Sequence, residues 1–317
     1  MVNDDASGQS EHKTVLLLEA VDALVTDPEG FYVDGTFGRG GHSSAVLARL
    51  GKAGRLLAID RDPEAIKSGN ARFRDESRIQ LEQNEFSCAK EIVDRSGRFG
   101  QVSGLLFDLG VSSPQLDSAE RGFSFMKDGP LDMRMSSDKG MSAADWLNTA
   151  ELEDIVRVLK VYGEERFGRR IATAIVERRE ESPLATTQDL VRLIDEAVPV
   201  KDPHKHPATR SFQAIRIHVN AELEEVEQVL ADSIQMLAPG GRLVVISFHS
   251  LEDRIVKRFM RDHSRSVSMP RDIPVRSDQL GQPALRLIGK AIKPSKEEIR
   301  ENPRSRSAVM RVAEKVA

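Results

Sequence analysis

Short apolar runs alternate with amphipathic stretches along most of the chain, and this alternation predicts the fold. The apolar runs have the length of buried strands, and the stretches between them carry apolar residues at helical spacing. The predicted strands span residues 31–33, 55–60, 79–82, 104–110, 242–248 and 307–312. Strands that alternate with helices are typical of a doubly wound, mostly parallel α/β sheet. We therefore predict a Rossmann-like α/β fold.

The alternation stops after the fourth strand for about a hundred residues, which is too long for an ordinary connection. Several helix starts in this stretch have the spacing of a capping box. The proposed boxes pair Ser142 with Asp145, Asn148 with Glu151, and Thr186 with Asp189. The longest predicted helix spans residues 164–180. We therefore predict a helical insertion, residues 115–220, in a sheet domain formed by residues 1–114 and 221–317.

Three of the predicted strands end at or near an aspartate, namely Asp34, Asp60 and Asp108. The carboxyl ends of parallel strands meet at one edge of an open sheet, where ligands bind in doubly wound folds. We therefore expect the three carboxylates to converge on one site. Asp60 stands where Rossmann-type folds hold ribose hydroxyls. Phe86 follows the third strand, where its ring either covers an adenine or packs in the core.

The turn after Asp34 contains Gly38, Gly40 and Gly41, which permit a sharp turn and the close approach of a ligand. A dinucleotide fingerprint requires a further glycine three residues after Gly40, and Ser43 stands there instead. An acid before the glycines is a poor neighbour for a pyrophosphate, but it suits the cationic cofactor S-adenosylmethionine (SAM). SAM is therefore the predicted cofactor, with an NAD-linked oxidoreductase as the alternative.

Composition excludes several classes of protein. No apolar run reaches the roughly 18 residues of a membrane span, and the polar N-terminus lacks a signal-peptide core. The single cysteine, Cys88, excludes an internal disulfide and fits a reducing cytoplasm. The seven histidines show no spacing typical of metal ligands, so no metal site is predicted.

The net charge of −4 hides an asymmetry along the chain. Residues 254–317 contain 16 Lys and Arg against seven Asp and Glu, so the rest of the chain is strongly acidic. A basic segment on an acidic body is typical of nucleic-acid binding, although a solvated basic surface has the same composition. Ser250 and Asp253 have capping-box spacing and predict a helix with Arg254, Lys257, Arg258 and Arg261 on it.

Long motifs along the chain resemble the bacterial ribosomal RNA small subunit methyltransferase H family. The matching stretches are residues 34–43, 58–63, 108–117, 121–125, 129–134, 206–210, 239–241 and 246–254. They occur in the family's order, and the likeness runs from about Lys13 to the C-terminus. It implies a class I SAM-dependent methyltransferase fold, in which the sheet domain binds SAM and the insertion recognises the substrate.

The resemblance also implies an activity and a set of contacts. The activity is methylation of the exocyclic N4 of a cytidine in the decoding region of 16S rRNA, within the small ribosomal subunit. The residues that it implies in SAM contact are Gly40, Gly41, His42, Asp60, Phe86, Asp108 and Gln115. A homodimer is compatible with it. The alternative is a ribosome-assembly factor that keeps the SAM-binding fold without turnover.

Two residues are candidates for handling the proton of the acceptor amine. Many amino-methyltransferases carry an Asp/Asn-Pro-Pro-aromatic motif after the fourth strand, whereas this chain has no proline pair after Asp108. Asp108 stands at the position of that motif and is one candidate, but without the prolines its contact with the cofactor is the better supported of its two roles. His249, just after the fifth strand, is the second candidate. A capping or core histidine has the same appearance in a sequence.

Overall fold

A computed structural model describes residues 13–200, 202–203, 206–265 and 282–316. Its centre is a seven-stranded sheet with the strand order β3-β2-β1-β4-β5-β7-β6. The strands are β1 Phe31–Asp34, β2 Arg55–Asp60, β3 Ile79–Gln83, β4 Val102–Asp108, β5 Leu237–Ser247, β6 Leu285–Leu287 and β7 Val309–Lys315. Strands β1 to β5 are parallel, and β7 runs antiparallel to both β5 and β6. The predicted α/β class is confirmed.

Helices cover both faces of this sheet and form the insertion. They are α1 Leu17–Leu24, α2 Gly41–Arg49, α3 Pro63–Arg72, α4 Ala89–Arg95, α5 Ser113–Asp117, α6 Ala143–Thr149, α7 Leu152–Val161, α8 Gly168–Glu181, α9 Thr187–Ala197, α10 Ala208–Val219, α11 Glu222–Met236, α12 Ser250–His263 and α13 Lys296–Glu301. No helix of the described residues is long and apolar enough to cross a membrane.

Alternate residues of each central strand serve the two faces of the sheet, because successive side chains point in opposite directions. On one face, Leu57 and Phe107 are buried with residues of α4, α11 and α12. On the other, Leu56 and Leu106 are buried with residues of α1 and α2. Full burial of each such side chain contributes about 1.5–3 kcal/mol. These two layers hold the sheet in place, and the predicted site lies at the edge formed by the carboxyl ends of its strands.

The predicted helical insertion is confirmed, and it has a hydrophobic core of its own. Leu147, Ile155, Ile171 and Leu190, from four different helices, are fully buried in that core. The chain returns from the insertion through Ala221, which adopts a left-handed φ of 49° between α10 and α11. The boundaries at residues 115 and 220 stay predictions.

Two of the four predicted capping boxes are confirmed, those of Ser142 with Asp145 and Thr186 with Asp189. The Asn148 box is wrong, because Asn148 lies inside α6 and its side chain exchanges two hydrogen bonds with the backbone of Leu184.

The Ser250 box is also wrong, by one residue. The N-cap of α12 is His249, which forms a reciprocal box with Glu252. The helix itself is where the sequence predicts it, with its four basic side chains exposed.

Several boundaries shift from their predicted places. Strand β4 begins at Val102 and ends at Asp108. Helix α8 begins at Gly168, and Glu164, where the sequence predicts its start, has a left-handed φ of 48°. The turn predicted at residues 239–241 lies inside β5, where the pairing with β4 shifts register. Part of the basic segment, residues 266–281, lies outside the described residues.

Candidate active site

A cavity of about 350 Å³ lies at the carboxyl ends of β1, β2 and β4, on the edge where the sequence predicts a ligand. Most of the predicted site residues line it. These are Gly38, Gly41, His42, Asp60, Phe86, Asp108, Gln115 and His249. Asp34 and Gly40 are not among its lining residues. The three strand-end carboxylates are near enough for the charge of Asp34 to act on both Asp60 and Asp108.

The glycine turn between β1 and α2 depends on left-handed backbone. Gly38 and Gly40 have φ values of 55° and 71°, which side chains with a Cβ rarely adopt. A Cβ on Gly40 would lie 2.7 Å from the Phe37 ring. Gly40 therefore shapes the turn by packing against an aromatic side chain, while Gly38 and Gly41 form the wall of the cavity.

Asp34 holds the same turn from inside the protein. Its carboxylate is 1% exposed and accepts hydrogen bonds from Ser43 Oγ at 2.6 Å and from the Thr36 N–H at 3.1 Å. Burial raises the pKa of Asp34 to about 6, against the opposing effect of these two bonds. In the described structure this carboxylate organises the turn, and any effect on a cation in the cavity acts through its charge.

Asp60 has capacity left for a ligand. Its Oδ2 accepts from the Gly38 N–H at 2.7 Å, and its Oδ1 accepts from the Asp62 N–H at 2.8 Å. A carboxylate has about four acceptor positions, so these bonds occupy half of them. Burial raises the pKa of Asp60 to about 6, so it is mostly ionised at pH 7. A diol that donates two hydrogen bonds fits what remains.

Asp108 and His42 face each other across the floor of the cavity. His42 Nδ1 lies 3.6 Å from Asp108 Oδ2, while Asp108 Oδ1 and His42 Nε2 are buried without a hydrogen-bond partner among the described residues. Burial lowers the pKa of His42 to about 4, so the ring is neutral at pH 7. Burial, with the charges of Asp34 and Glu252, raises the pKa of Asp108 well above its usual value. Buried polar atoms without partners are rare in native proteins, and here they mark a place for a polar ligand.

Phe86 and Gln115 both line the cavity. The Phe86 ring packs on Phe107 with centroids 5.8 Å apart and is also part of the cavity wall. The Gln115 side chain accepts from the Ser112 N–H and donates to Asp62 Oδ2 at 3.0 Å. Both interpretations of Phe86 from the sequence, ligand cover and core residue, are compatible with this position.

The cavity is also lined by residues that the sequence did not single out. They come from α10, α11 and the segment around the start of α12, and they are Gln213, Arg216, Glu222, Phe248 and Glu252. Arg216 donates from Nε and Nη2 to the two carboxylate oxygens of Glu222, each at 2.8 Å. The partners lie on different helices, so no local spacing could have indicated the pair.

His249 is folded against Glu252. Its Nδ1 accepts from the Glu252 N–H at 3.4 Å, and its Nε2 lies 3.1 Å from Glu252 Oε1. Burial alone would raise the pKa of Glu252, but the contact with His249, the charge of Arg216 and the Phe248 N–H outweigh it and lower that pKa. Both ring nitrogens of His249 therefore lie against Glu252, Nδ1 against its backbone N–H and Nε2 against its ionised carboxylate.

Glu222, His249 and Glu252 also bring one possible metal-ligand atom each within 4.8 Å of one another. Arg216 already neutralises Glu222, and Glu252 accepts from the Phe248 N–H at 2.8 Å. These contacts account for the cluster as an ion-pair network.

Segments near the two chain ends close the remaining side. Thr14, Val15, Asn302 and Arg304 line the cavity. Asn302 Nδ2 donates to the Lys13 carbonyl at 2.9 Å, which ties the two segments together.

Comparison with known proteins decides the family. The family model described as the MraW methylase family matches residues 9–316. The chain belongs to this family. A relative from Thioalkalivibrio sulfidiphilus (strain HL-EbGR7), called ribosomal RNA small subunit methyltransferase H, is 58% identical over 306 residues, which are 96% of this chain and 98% of the relative. The predicted family and the class I methyltransferase fold are confirmed, and the oxidoreductase alternative is set aside.

Among solved structures, the chain is similar to an rRNA methylase from Streptococcus thermophilus, with 14% identity and a TM-score of 0.38 over 94% of this chain and 92% of the other. It is also similar to a candidate rRNA methylase from Clostridium thermocellum, with 11% identity and a TM-score of 0.45 over 96% of this chain and 98% of the other. Likenesses at this level add nothing to the assignment of the MraW methylase family.

Proposed function

We propose that this member of the MraW methylase family transfers a methyl group from SAM to the exocyclic N4 of a cytidine in the decoding region of 16S rRNA. The observation that carries the proposal is the unpartnered Oδ1 of Asp108, which lies in a cavity beside the glycine turn and Asp60. The name of the Thioalkalivibrio relative, a ribosomal RNA small subunit methyltransferase, supports the substrate class.

The part of the cavity formed by the glycine turn, Asp60 and Phe86 is called the cofactor half, and its residues fit SAM. Asp60 has free acceptor positions for the two ribose hydroxyls, and Phe86 offers an aromatic face for the adenine. Three carboxylates converge at the strand ends, and this concentration of negative charge suits a cation better than a pyrophosphate. When bound, SAM supplies a methyl group on a positively charged sulfur, which the acidic edge of the sheet attracts.

The part of the cavity lined by Gln213, Arg216, Glu222, Phe248 and Glu252 is called the substrate half and is proposed to take the cytosine. The lone pair of the exocyclic amine is delocalised into the ring, so the enzyme must align that nitrogen and help its proton to leave. Asp108 Oδ1 has no partner among the described residues and is therefore proposed to accept a hydrogen bond from the amine. Alignment of reacting groups in this way contributes about 7 kcal/mol or more to lowering a barrier.

His249 stays the second candidate for proton handling. Its Nδ1 accepts from the Glu252 N–H, and its Nε2 has no hydrogen-bond partner among the described residues but lies 3.1 Å from Glu252 Oε1, so a substrate has to compete with that carboxylate for Nε2. The geometry therefore favours Asp108 over His249 as the group that contacts the amine.

The target base must leave its stack to reach this cavity, because the reacting nitrogen is inaccessible within stacked RNA. The insertion, residues 115–220, contributes Gln115, Gln213 and Arg216 to the cavity wall and is proposed to recognise the RNA around the base. The small ribosomal subunit in the cytoplasm is the proposed setting, and a homodimer is a further prediction that light scattering tests.

Mass mapping of 16S rRNA from cells with and without this protein tests the function directly. The expected result is one cytidine in the decoding region that loses a methyl group on N4 when the protein is absent and regains it with the wild-type gene. An Asp108→Asn gene should not restore it. An N4 methyl group that is the same with and without the protein, together with a ribosome-assembly defect that the wild-type gene repairs, would favour the assembly factor without turnover.

A further inference from the structure

Three consecutive residues at the end of β2 make three different connections. Asp60 lies in the cofactor half of the cavity and accepts from the glycine turn. Asp62, 5% exposed, points towards the entrance of the insertion, and Arg61 donates from Nη1 to the carbonyl of Asn220, at its exit, over 2.9 Å. The cofactor edge of the sheet is thus tied to both ends of the insertion.

The link at the entrance is a buried ion pair. Arg121 Nη1 donates to Asp62 Oδ2 at 2.8 Å, and the two side chains are 11% and 7% exposed. The same guanidinium donates from Nη2 to the carbonyls of Arg134 at 3.2 Å and Met135 at 2.8 Å. Arg121 is not among the residues that line the cavity, whereas Met135 is. Arg121 therefore connects Asp62, at the end of β2, to Met135, a lining residue that belongs to the insertion.

The link at the exit closes a ring of contacts. Asn220 is 4% exposed, and its Oδ1 accepts from the Met135 N–H at 2.8 Å. Its Nδ2 donates to the carbonyls of Met133 and Arg216 at 2.8 and 2.9 Å. Through Arg61, Asn220, Met135, Arg121 and Asp62, the ring returns to β2.

The ring of contacts holds residues 133–135, a segment whose backbone geometry is unusual. Met133 is fully buried with a left-handed φ of 61°, a conformation that persists only when its surroundings impose it. Hydrogen bonds to charged groups are stronger than neutral ones, so the guanidinium is the strongest member of the ring at this segment.

We propose that Arg121 is a positioning residue, which through Asp62 and Met135 sets the substrate half of the cavity in register with the cofactor half. This rests on the proposed methyl transfer. Arg121 lies outside the cavity, and Gln115 has its own hydrogen bond to Asp62 Oδ2, so the loss of Arg121 should change the alignment of the reacting groups far more than the affinity for SAM.

The test compares Arg121→Met, Arg121→Lys and the control Arg49→Met. The control removes Arg49 of α2, an exposed arginine that pairs with Asp22 of α1 at 2.6 Å. For each protein, SAM affinity is measured by calorimetry, and methyl transfer to isolated small subunits is measured at saturating SAM and subunit. Arg121→Met is expected to keep SAM affinity within about twofold and to lower kcat by about 10- to 100-fold, because a small misplacement of reacting groups has effects of that size.

Arg121→Lys keeps the charge beside Asp62 and is expected to recover part of kcat, while Arg49→Met matches the wild type. A purely structural role predicts a loss that follows the folded fraction and disappears at a temperature where the variant is fully folded. That outcome, or an equal loss of kcat and of SAM affinity, overturns the proposal.

A second measurement uses the wild-type protein and remains decisive if Arg121→Met does not fold. SAM is expected to slow hydrogen exchange at the amides of residues 133–135. These residues belong to the ring of contacts, and the ring includes Arg61 and Asp62, which directly follow Asp60 in the chain. Unchanged exchange there at saturating SAM overturns the proposal. Exchange does not require turnover, so a failure of the proposed methyl transfer is distinguished by the absence of product with the wild type.

Discussion

The backbone N–H of Gly38 donates to Asp60 Oδ2 over 2.7 Å, so the residue expected to hold the ribose also anchors the glycine turn. Asp60→Ala is therefore expected to weaken SAM binding by about 1.5–3 kcal/mol, the scale of a hydrogen bond to a charged group. Asp60→Asn keeps one acceptor oxygen and should lose less. Calorimetry measures both variants, and wild-type affinity in Asp60→Ala would remove Asp60 from the cofactor site.

The stability of the SAM-free protein should depend on pH through Asp34. Burial raises the pKa of this carboxyl to about 6, from an ordinary value of 3.8. The group binds its proton more tightly when folded, so its contribution to stability is fully present below about pH 4 and is lost as the pH rises through 6. Urea unfolding at pH 4.5 to 7 measures this change.

The expected contribution of Asp34 to that loss is at most about 3 kcal/mol. Asp34→Asn should flatten the pH profile by this share, while Asp60 and Asp108 continue to act in the same direction. A profile that is identical in Asp34→Asn and the wild type would contradict the raised pKa.

Gly40→Ala is expected to destabilise the fold and to weaken SAM binding by distorting the turn. The added Cβ would stand 2.7 Å from the Phe37 ring at a φ of 71°. Gly97 has nearly the same φ, 70°, and no atom of the described residues lies within 4 Å of an added Cβ. Gly97→Ala therefore carries the backbone cost alone, about 1–2 kcal/mol, and Gly40→Ala should exceed it in urea unfolding. Equal losses would mean that Phe37 moves aside freely.

Asp108→Asn and His249→Asn should separate the two candidates for proton handling. Asp108→Asn removes the carboxylate that is free to accept from the amine, so kcat should fall by about 100-fold or more. Asparagine is a good N-cap, so His249→Asn preserves the start of α12 and isolates the loss of the ring. A kcat that falls far more in His249→Asn than in Asp108→Asn would reverse their proposed order.

The exposed basic side chains of α12 are expected to contact RNA phosphates. Charge reversal of Lys257 and Arg258 together should weaken RNA binding and reduce the slope of log affinity against log salt by about 1.4, or about 0.7 for each phosphate. SAM affinity should not change. The control reverses Lys52 and Arg55, which are also exposed and lie near the amino end of β2, at the opposite edge of the sheet. Equal effects of the two double variants would indicate a general charge effect.

Features carried by one strand or one turn could be predicted from the sequence, and features assembled from distant segments could not. The acids at the ends of β1, β2 and β4 follow from the direction of parallel strands, so their convergence was predictable. The Arg216–Glu222 pair joins two helices around Ala221, whose left-handed φ has no local signature in an alanine. The helix α12 was predicted with the wrong cap, because His249 with Glu252 and Ser250 with Asp253 have the same spacing.

The placement of the insertion between β4 and β5 also determines when the sheet can be completed. Strand β4 pairs with β1 on one side and with β5 on the other, yet β5 follows the whole insertion in the chain. During synthesis, β1 to β4 emerge first, and one edge of β4, with its buried Leu105 and Phe107, has no partner until the insertion has been made. Unpaired strand edges promote aggregation, and pairings between distant segments form slowly. An insertion that folds early around its own core shortens the distance that β5 must search. We therefore expect the insertion to speed folding and to reduce aggregation.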